Sequence, residues 1–195
     1  MTRLAPINSD DLSGEWRVRF ENASARERMM LTPTLHAPEL MTALHQFGHK
    51  LVELGTIPPR LVELLRLRIA FHNQCRSCMA MRYKSGIEDG VTEDLVCSLE
   101  RPAEAPDLTD AERAALAYAD ISSTNHFAIN EDTFTDLRRH FSEREIIELG
   151  LHIANYIGFG RLVAAWDMVE ELPGGFEDKS TRATPWQAGT FIFEV

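Results

Sequence analysis

The chain has 195 residues, of which 44% are hydrophobic and 26% charged, and its formal net charge is -10. This composition is typical of a globular protein of one domain, and the chain is long enough to bury a hydrophobic core without stabilising disulfides or metals. The negative charge argues against a nucleic-acid partner, because phosphates are bound by a surplus of Lys and Arg, and against an anionic membrane surface.

Neither a targeting segment nor a membrane span is indicated. The first thirty residues hold no unbroken apolar run, so we expect no signal peptide, and no apolar stretch approaches the length that crosses a bilayer. The three cysteines are an odd number, which is not typical of the disulfide framework of a secreted protein. We therefore expect a cytoplasmic protein.

Helical patterns follow one another along the chain. Pro38 opens a segment with apolar residues on one helix face, Gly55 closes it, and Pro58 and Pro59 start the next helix. Further helix starts are indicated by N-cap residues and capping boxes at Thr92, at Thr109 with Glu112, and at Ser142 with Glu145. The last helix is expected to run to the break at 173–175. No alternating strand pattern occurs before that point, so the predicted class is all-α.

A weak internal repeat accompanies this pattern. The segments LLRLRIA at 64–70 and ELGLHIA at 148–154 share four apolar positions at a constant offset of 84 residues. A repeat of this kind predicts two similar halves, of which only the first carries cysteines. We divide the chain into a helical domain, 1–172, and a C-terminal tail, 173–195. The tail is interpreted as a frayed terminus or as an arm docked on a neighbouring subunit.

The stretch HNQCRSCMAMR places Cys75 and Cys78 in a C-x-x-C pair, with Arg82 four residues further on. If a helix begins near Cys75, its first turn favours a thiolate, and Cys78 and Arg82 share one helix face. Arg76 adds a second positive charge. Two thiols at this spacing close a disulfide with little backbone motion, which permits a reversible dithiol cycle.

Other readings of the pair are open at this point. The two cysteines could simply pack in the core, or form half of a zinc site. A structural zinc needs four ligands, but Cys97 stands alone and is expected to be a core residue, and His72 is the only histidine nearby. Neither a metal ligand cluster nor a phosphate-binding glycine loop is present, so we expect no metal and no cofactor.

Two further residues are candidates for proton chemistry. Glu63 lies twelve residues before Cys75, on a helix that is otherwise largely apolar. Its carboxylate could be exposed and paired with Arg60 or Arg66, or point inward as a proton acceptor or an anchor for Arg82. His72 is a possible proton carrier, although a lone histidine near a helix end is often a cap or a surface residue.

The segment ELLRLRIAFHNQCRSCMAMR resembles the carboxymuconolactone decarboxylase / alkylhydroperoxidase D (AhpD-like) family. Its AhpD-like members carry a Glu and, about a dozen residues later, C-x-x-C-x-x-x-H, in a duplicated all-helical fold. Glu63, Cys75 and Cys78 match this pattern, and the likeness extends over most of residues 1–170. The resemblance implies an AhpD-like helical bundle and a homo-oligomer.

The resemblance also implies a thiol-dependent peroxidase that takes a hydroperoxide substrate and a dithiol reductant. Cys78 would be the peroxidatic cysteine and Cys75 the resolving one. Family members with decarboxylase activity lack this cysteine pair, so a decarboxylase is not expected. The alternatives are a dithiol–disulfide oxidoreductase without peroxidase turnover and a non-catalytic oligomeric protein with inert cysteines.

The chain departs from the family pattern at Arg82, where the pattern has histidine. An arginine cannot accept a proton at physiological pH, so the proton relay of the family cannot operate in its usual form. Arg82 could still stabilise a thiolate, while Glu63, His72 or a water supplies the base. The alternative is that peroxidase activity has been lost.

Overall fold

In the computed structural model, residues 2–193 of the chain are described. That part contains ten α-helices, two short strands and four 3-10 turns. The helices are α1 (Gly14–Asn22), α2 (Ala25–His36), α3 (Pro38–Leu54), α4 (Pro59–Asn73), α5 (Arg76–Ala80), α6 (Lys84–Glu88), α7 (Glu93–Cys97), α8 (Asp110–Thr124), α9 (Glu131–Leu137) and α10 (Glu143–Trp166). The strands β1 (Met81–Tyr83) and β2 (Phe191–Phe193) pair in parallel. The predicted all-α class is confirmed.

Helix α4 lies at the centre of the fold, packed between α8 and α10. It is buried on almost every side, as expected of a helix enclosed by neighbours, and its leucines at 64, 65 and 67 have no exposed surface. The charged residues of α4 are paired: Glu63 with Arg66 within the helix, Arg60 with Glu112, and Arg68 with Asp120. Pairing lets a central helix carry charge without leaving it isolated in the core.

The predicted helix starts are confirmed. Thr92 accepts a hydrogen bond from the backbone of Leu95, and capping boxes form at Thr109 with Glu112 and at Ser142 with Glu145. Helices α4 and α10 begin at Pro59 and Glu143, positions separated by the 84 residues of the predicted repeat. Among the described helices, none has the length and apolar character needed to span a bilayer.

Three sequence predictions about local structure are wrong. Helix α10 ends at Trp166 instead of continuing to the break at 173–175, because Asp167 adopts a left-handed conformation (φ +58°) that turns the chain. The body of the chain does contain a strand, β1, whose partner β2 comes from the tail and could not be recognised locally. Cys97, expected in the core, is an exposed free cysteine at the end of α7.

The described part of the tail, 173–193, is neither frayed nor extended away from the chain. Phe176 and Ala183 are buried in an apolar cluster with Ala70 and Met79 of the α4–α5 region. Gly174 and Gly189, both with positive φ, bring two stretches of tail backbone into close contact, leaving no room for a side chain. The tail therefore forms a closed loop on its own chain, beside the cysteine segment.

Candidate functional site

The junction between α4 and α5 places the two cysteines. Gln74 takes a left-handed conformation (φ +50°), and its backbone NH bonds to carbonyls of the last turn of α4. Cys75 donates its backbone NH to the carbonyl of Ala70 at 3.0 Å and stands as the N-cap of α5. This turn redirects the chain so that Cys75 caps the short helix α5 and Cys78 lies within it.

Cys75 and Cys78 are joined by a disulfide, with their Cα atoms 5.2 Å apart. Cys75 has no exposed surface and packs in a cluster with Val163 of α10 and Met168, whereas Cys78 is partly exposed. The Cys75 sulfur lies 3.7 Å from the hydroxyl of the buried Ser77. The pair therefore combines one sealed cysteine with one that solvent can reach.

A buried ion pair supports the disulfide from α4. Arg66 Nε and Nη2 each donate to a carboxylate oxygen of Glu63 at 2.7 Å, and both side chains are almost fully buried. The same guanidinium donates to the carbonyls of Cys78 at 2.6 Å and Met81 at 2.7 Å. Glu63 also accepts the backbone NH of Tyr83 at 3.0 Å. The pair thereby fixes the backbone on both sides of the α5–β1 junction.

Electrostatics and close packing hold this ion pair in place. Burial opposes the charge of Arg66, but the charge and hydrogen bonds of Glu63 outweigh it and raise the pKa of Arg66. The Arg66 guanidinium lies 4.3 Å from the ring centroid of Tyr83, and burial raises the pKa values of Tyr83 and Tyr156. Gly86 of α6 packs against Glu63 so closely that a Cβ would lie 2.6 Å from the Glu63 Cβ.

Arg82 is placed differently from the sequence prediction. Because α5 ends at Ala80, Arg82 lies in β1, and the predicted helix face shared with Cys78 does not form. Its buried guanidinium donates twice to Glu93 of α7, at 2.9 and 3.0 Å. It also donates to three backbone carbonyls, those of Met79, Met81 and Pro185. Arg82 thus ties β1 to α7 and to the tail, and no anchoring bond from Glu63 to Arg82 is present among the described contacts.

His72 lies in the last turn of α4 and contacts α8. Its Nε2 donates to Asp120 of α8 at 2.7 Å, and Arg68 donates twice to the same carboxylate. Burial raises the pKa of Asp120, but the hydrogen bonds and charges of His72 and Arg68 outweigh burial and hold this pKa below its usual value. His72 is therefore a member of a fixed charged cluster and not a loose surface residue.

Arg76, which lies between the two cysteines, also contacts the tail. Arg76 donates to the carbonyls of Phe176 and Thr181. Within residues 2–193, no three of the His, Cys, Asp and Glu side chains are grouped so that they could hold a metal ion.

Sequence reasoning missed two partners in this site. Arg66 was considered only as a surface partner of Glu63, although its i, i+3 spacing on an enclosed helix could have indicated a buried pair. Asp120 was not singled out, because it is 48 residues from His72 and no local pattern connects the two.

Comparison with known proteins gives similarities of sequence and of fold. Residues 38–120 match the model of the carboxymuconolactone decarboxylase family. Two uncharacterised proteins of Mycobacterium tuberculosis, from strains CDC 1551 / Oshkosh and H37Rv, are each 32% identical over 121 residues, which is 60% of this chain. The match covers 42% of their length, so the chain spans less than half of these curated relatives.

Two solved structures share the fold. One, from Agrobacterium tumefaciens, is described as a protein of unknown function and a candidate antioxidant defence protein AhpD. Its sequence is 25% identical and the TM-score is 0.60; the match covers 68% of this chain and 91% of the Agrobacterium chain. The second, from Ralstonia eutropha JMP134, is described as an alkylhydroperoxidase AhpD core and an uncharacterised peroxidase-related protein. Its sequence is 18% identical and the TM-score is 0.62; the match covers 84% of this chain and 88% of the Ralstonia chain. At this identity the likeness shows a shared fold only.

An all-helical fold with a C-x-x-C disulfide after a buried glutamate is the arrangement that the resemblance to AhpD-like proteins predicts. Residues 38–120 match the carboxymuconolactone decarboxylase family, and the fold of the chain is similar to that of AhpD-like proteins.

Proposed function

We propose that the protein is a thiol-dependent peroxidase that reduces hydroperoxides through Cys75 and Cys78. The observation that carries the proposal is the unequal exposure of the two linked cysteines. A sulfur that meets a substrate must be reachable from solvent, whereas a resolving sulfur needs only to reach its partner. Cys78 is therefore assigned as the attacking residue and Cys75 as the resolving residue, in agreement with the family order.

The proposed cycle starts from the reduced dithiol. The Cys78 thiolate attacks the outer peroxide oxygen; an S–O bond forms, the O–O bond breaks, and the alcohol leaves after taking up a proton. The Cys75 thiolate then attacks the sulfenic sulfur of Cys78; the S–S bond forms, the S–O bond breaks, and the hydroxide that leaves takes up a proton to become water. A dithiol reductant restores both thiols by exchange and becomes a disulfide itself. A cytoplasmic location is part of the proposal, because that compartment keeps thiols reduced.

The polar residues around the pair receive distinct roles. Glu63 is an anchor: its oxygens hold Arg66 and the Tyr83 backbone, and Arg66 in turn holds the Cys78 carbonyl. Arg82 positions β1 through Glu93 and does not act as a base. His72 is the proton carrier. Asp120 fixes its orientation by accepting a hydrogen bond from the imidazole, as carboxylates do behind catalytic histidines.

One observation favours the alternative of a dithiol–disulfide oxidoreductase. The described hydrogen bonds of Glu63, His72 and Arg82 all go to partners other than the cysteine sulfurs. Disulfide exchange needs an accessible sulfur and a docking surface, but no base beside a peroxide. In that case the substrate would be a protein or small-molecule disulfide.

Thiol mapping by mass spectrometry tests both functions. We would reduce a Cys97→Ser variant, which removes the exposed free thiol, and add one equivalent of an organic hydroperoxide or of a small disulfide. The peroxidase predicts rapid formation of the Cys75–Cys78 disulfide with either oxidant, and a sulfenic acid at Cys78 in a Cys75→Ser variant. Oxidation by the disulfide alone would establish the oxidoreductase, and inertness to both would leave a non-catalytic protein.

We also propose that the protein is a homo-oligomer, as the family resemblance implies. Five apolar side chains of α3 and α10 line an open groove of about 540 Å³; they are Phe47, Leu51, Leu54, Ile147 and Leu151. Leu54 and Ile147 are 64% and 65% exposed. A second copy bringing the same two helices would bury the groove in a two-fold interface.

A further inference from the structure

The C-terminal tail is bound to the same segment, 74–82, that carries the disulfide. Arg76, between the cysteines, donates to the carbonyls of Phe176 and Thr181, and Gln74, just before them, donates to that of Ala183 at 3.4 Å. Just after them, Arg82 donates to the carbonyl of Pro185 at 2.5 Å. Contacts on both sides of the disulfide make tail binding dependent on the shape of this segment.

Backbone pairing and apolar packing extend the same attachment. Strand β2 pairs with β1 in parallel, joining Met81 to Phe191 and Tyr83 to Phe193. Phe176 is fully buried in the cluster that includes Met79 of α5, against which the partly exposed Cys78 also packs. The tail is thus a neighbour of the reactive cysteine and not only of the surrounding helices.

We propose that tail docking is coupled to the redox state of the dithiol, with the disulfide form holding the tail and the reduced form releasing it. The disulfide restrains the turn that presents Gln74, Arg76 and Arg82, so the tail binds a segment that is already ordered. When a reductant breaks the S–S bond, this turn gains conformational freedom, and ordering it again makes docking less favourable. The proposal rests on the dithiol cycle proposed above.

The coupling has two consequences. Because linkage is reciprocal, a docked tail stabilises the disulfide by the same factor by which the disulfide strengthens tail docking. Release of the tail in the reduced form would uncover the surface beside Cys78, which is where a substrate must approach. The tail would then return when the disulfide forms.

Hydrogen–deuterium exchange of the full chain tests the first consequence. A Cys97→Ser background would be oxidised with oxidised dithiothreitol, so that no peroxide activity is needed, and compared with the same protein after reduction by dithiothreitol. We expect amides of 176–193 to exchange about fivefold faster or more after reduction, with little change in α8. A Cys75→Ser/Cys78→Ser variant should show no response to the reductant. Equal tail protection in both redox states would overturn the proposal.

The reciprocal consequence is tested with a glycine pair. Gly189→Ala strains the tail loop where Gly189 packs against Gly174, without changing charge or touching the cysteines. In Gly158→Ala on α10, the added methyl group has no atom within 4 Å. In a dithiothreitol redox buffer, the Gly189 variant should be reduced about fivefold more readily than the parent, and the Gly158 variant should match the parent. An unchanged equilibrium in a Gly189 variant whose tail exchanges faster would contradict the coupling. Because neither readout uses peroxide turnover, failure here is distinct from failure of the peroxidase assignment.

Discussion

Arg82 of β1 and Glu93 of α7 form a two-bond ion pair in which the arginine is buried and the carboxylate is 60% exposed. The guanidinium also reaches the carbonyls of Met79, Met81 and Pro185. Where the family pattern has histidine, this chain therefore has a residue that connects three parts of the fold.

The first prediction concerns this connection. Replacing Arg82 by Met removes the donor to the carbonyls of Met79 and Pro185, while Arg66 still donates to that of Met81, and we expect a loss of about 2–4 kcal/mol in the free energy of unfolding. Urea denaturation measures this loss. Arg139→Met, which removes an exposed arginine paired with Asp136, serves as the control and should change stability much less. A comparable stability for the two variants would mean that Arg82 is not an anchor.

The Arg82→His variant distinguishes two interpretations of this position: a structural anchor, or the loss of a catalytic histidine. If the arginine only replaced a relay histidine, this variant would raise the rate of peroxide-driven disulfide formation. We expect no gain, because the side chain at this position bonds to Glu93 and the tail in the structure. The rate is measured by stopped-flow or quenched mass spectrometry, and a tenfold increase would restore the relay interpretation.

A second prediction concerns the buried pair of Glu63 and Arg66. Glu63→Gln leaves the Arg66 cation buried without its counter-charge, and we expect a loss of about 3–5 kcal/mol in stability. A Glu63→Leu/Arg66→Met double variant removes both charges and should recover much of that loss. A double-mutant cycle that includes the matching single variants Glu63→Leu and Arg66→Met is measured by urea unfolding. Single and double variants whose effects simply add would show that the two residues do not act as a pair.

A third prediction follows from the lowered pKa of Asp120. A carboxyl group with a lower pKa in the folded than in the unfolded state stabilises the fold above the unfolded value, near 4, and loses this effect as pH falls through the folded pKa. The stability difference between the parent and Asp120→Asn should therefore be full at pH 6 and shrink below about pH 4. Both proteins would be unfolded in urea across this range. A difference independent of pH would exclude the charged interaction with His72 and Arg68.

The proposed proton role of His72 is tested with the same variant. Asp120→Asn keeps the size of the side chain but removes the charge that orients His72. We expect slower peroxide-driven oxidation of the dithiol, with a pH profile displaced from that of the parent, while exchange with a small disulfide is less affected. Equal peroxide rates in the parent, Asp120→Asn and His72→Gln proteins would remove His72 from the mechanism.

The fourth prediction concerns the groove between α3 and α10. Leu151→Glu places a charge in its apolar lining, so the oligomer should dissociate, as seen by light scattering after size exclusion. Val52→Glu is the matched control, because Val52 is 56% exposed on α3 but does not line the groove. Dissociation by both variants, or by neither, would place the subunit interface elsewhere.

The sequence by itself determined the helical class, the helix starts and the cysteine pair. Capping boxes such as Thr109 with Glu112 are local, since a side chain three residues away satisfies the free NH groups of the first turn. The closure of the disulfide between Cys75 and Cys78 is local as well, because their spacing in a helical turn brings the sulfurs together. These features needed no knowledge of the rest of the fold.

The tertiary structure alone decided what surrounds the thiols. The partners of Arg82, His72 and Arg76 come from α7, α8 and the tail, up to 105 residues away, and no periodicity in the sequence connects them. The tail illustrates the same limit, because β2 becomes a strand only by pairing with β1. Long side chains and unpaired strand edges bond to whatever groups lie near them in the folded chain. The packing of α4 between α8 and α10 brings these groups together.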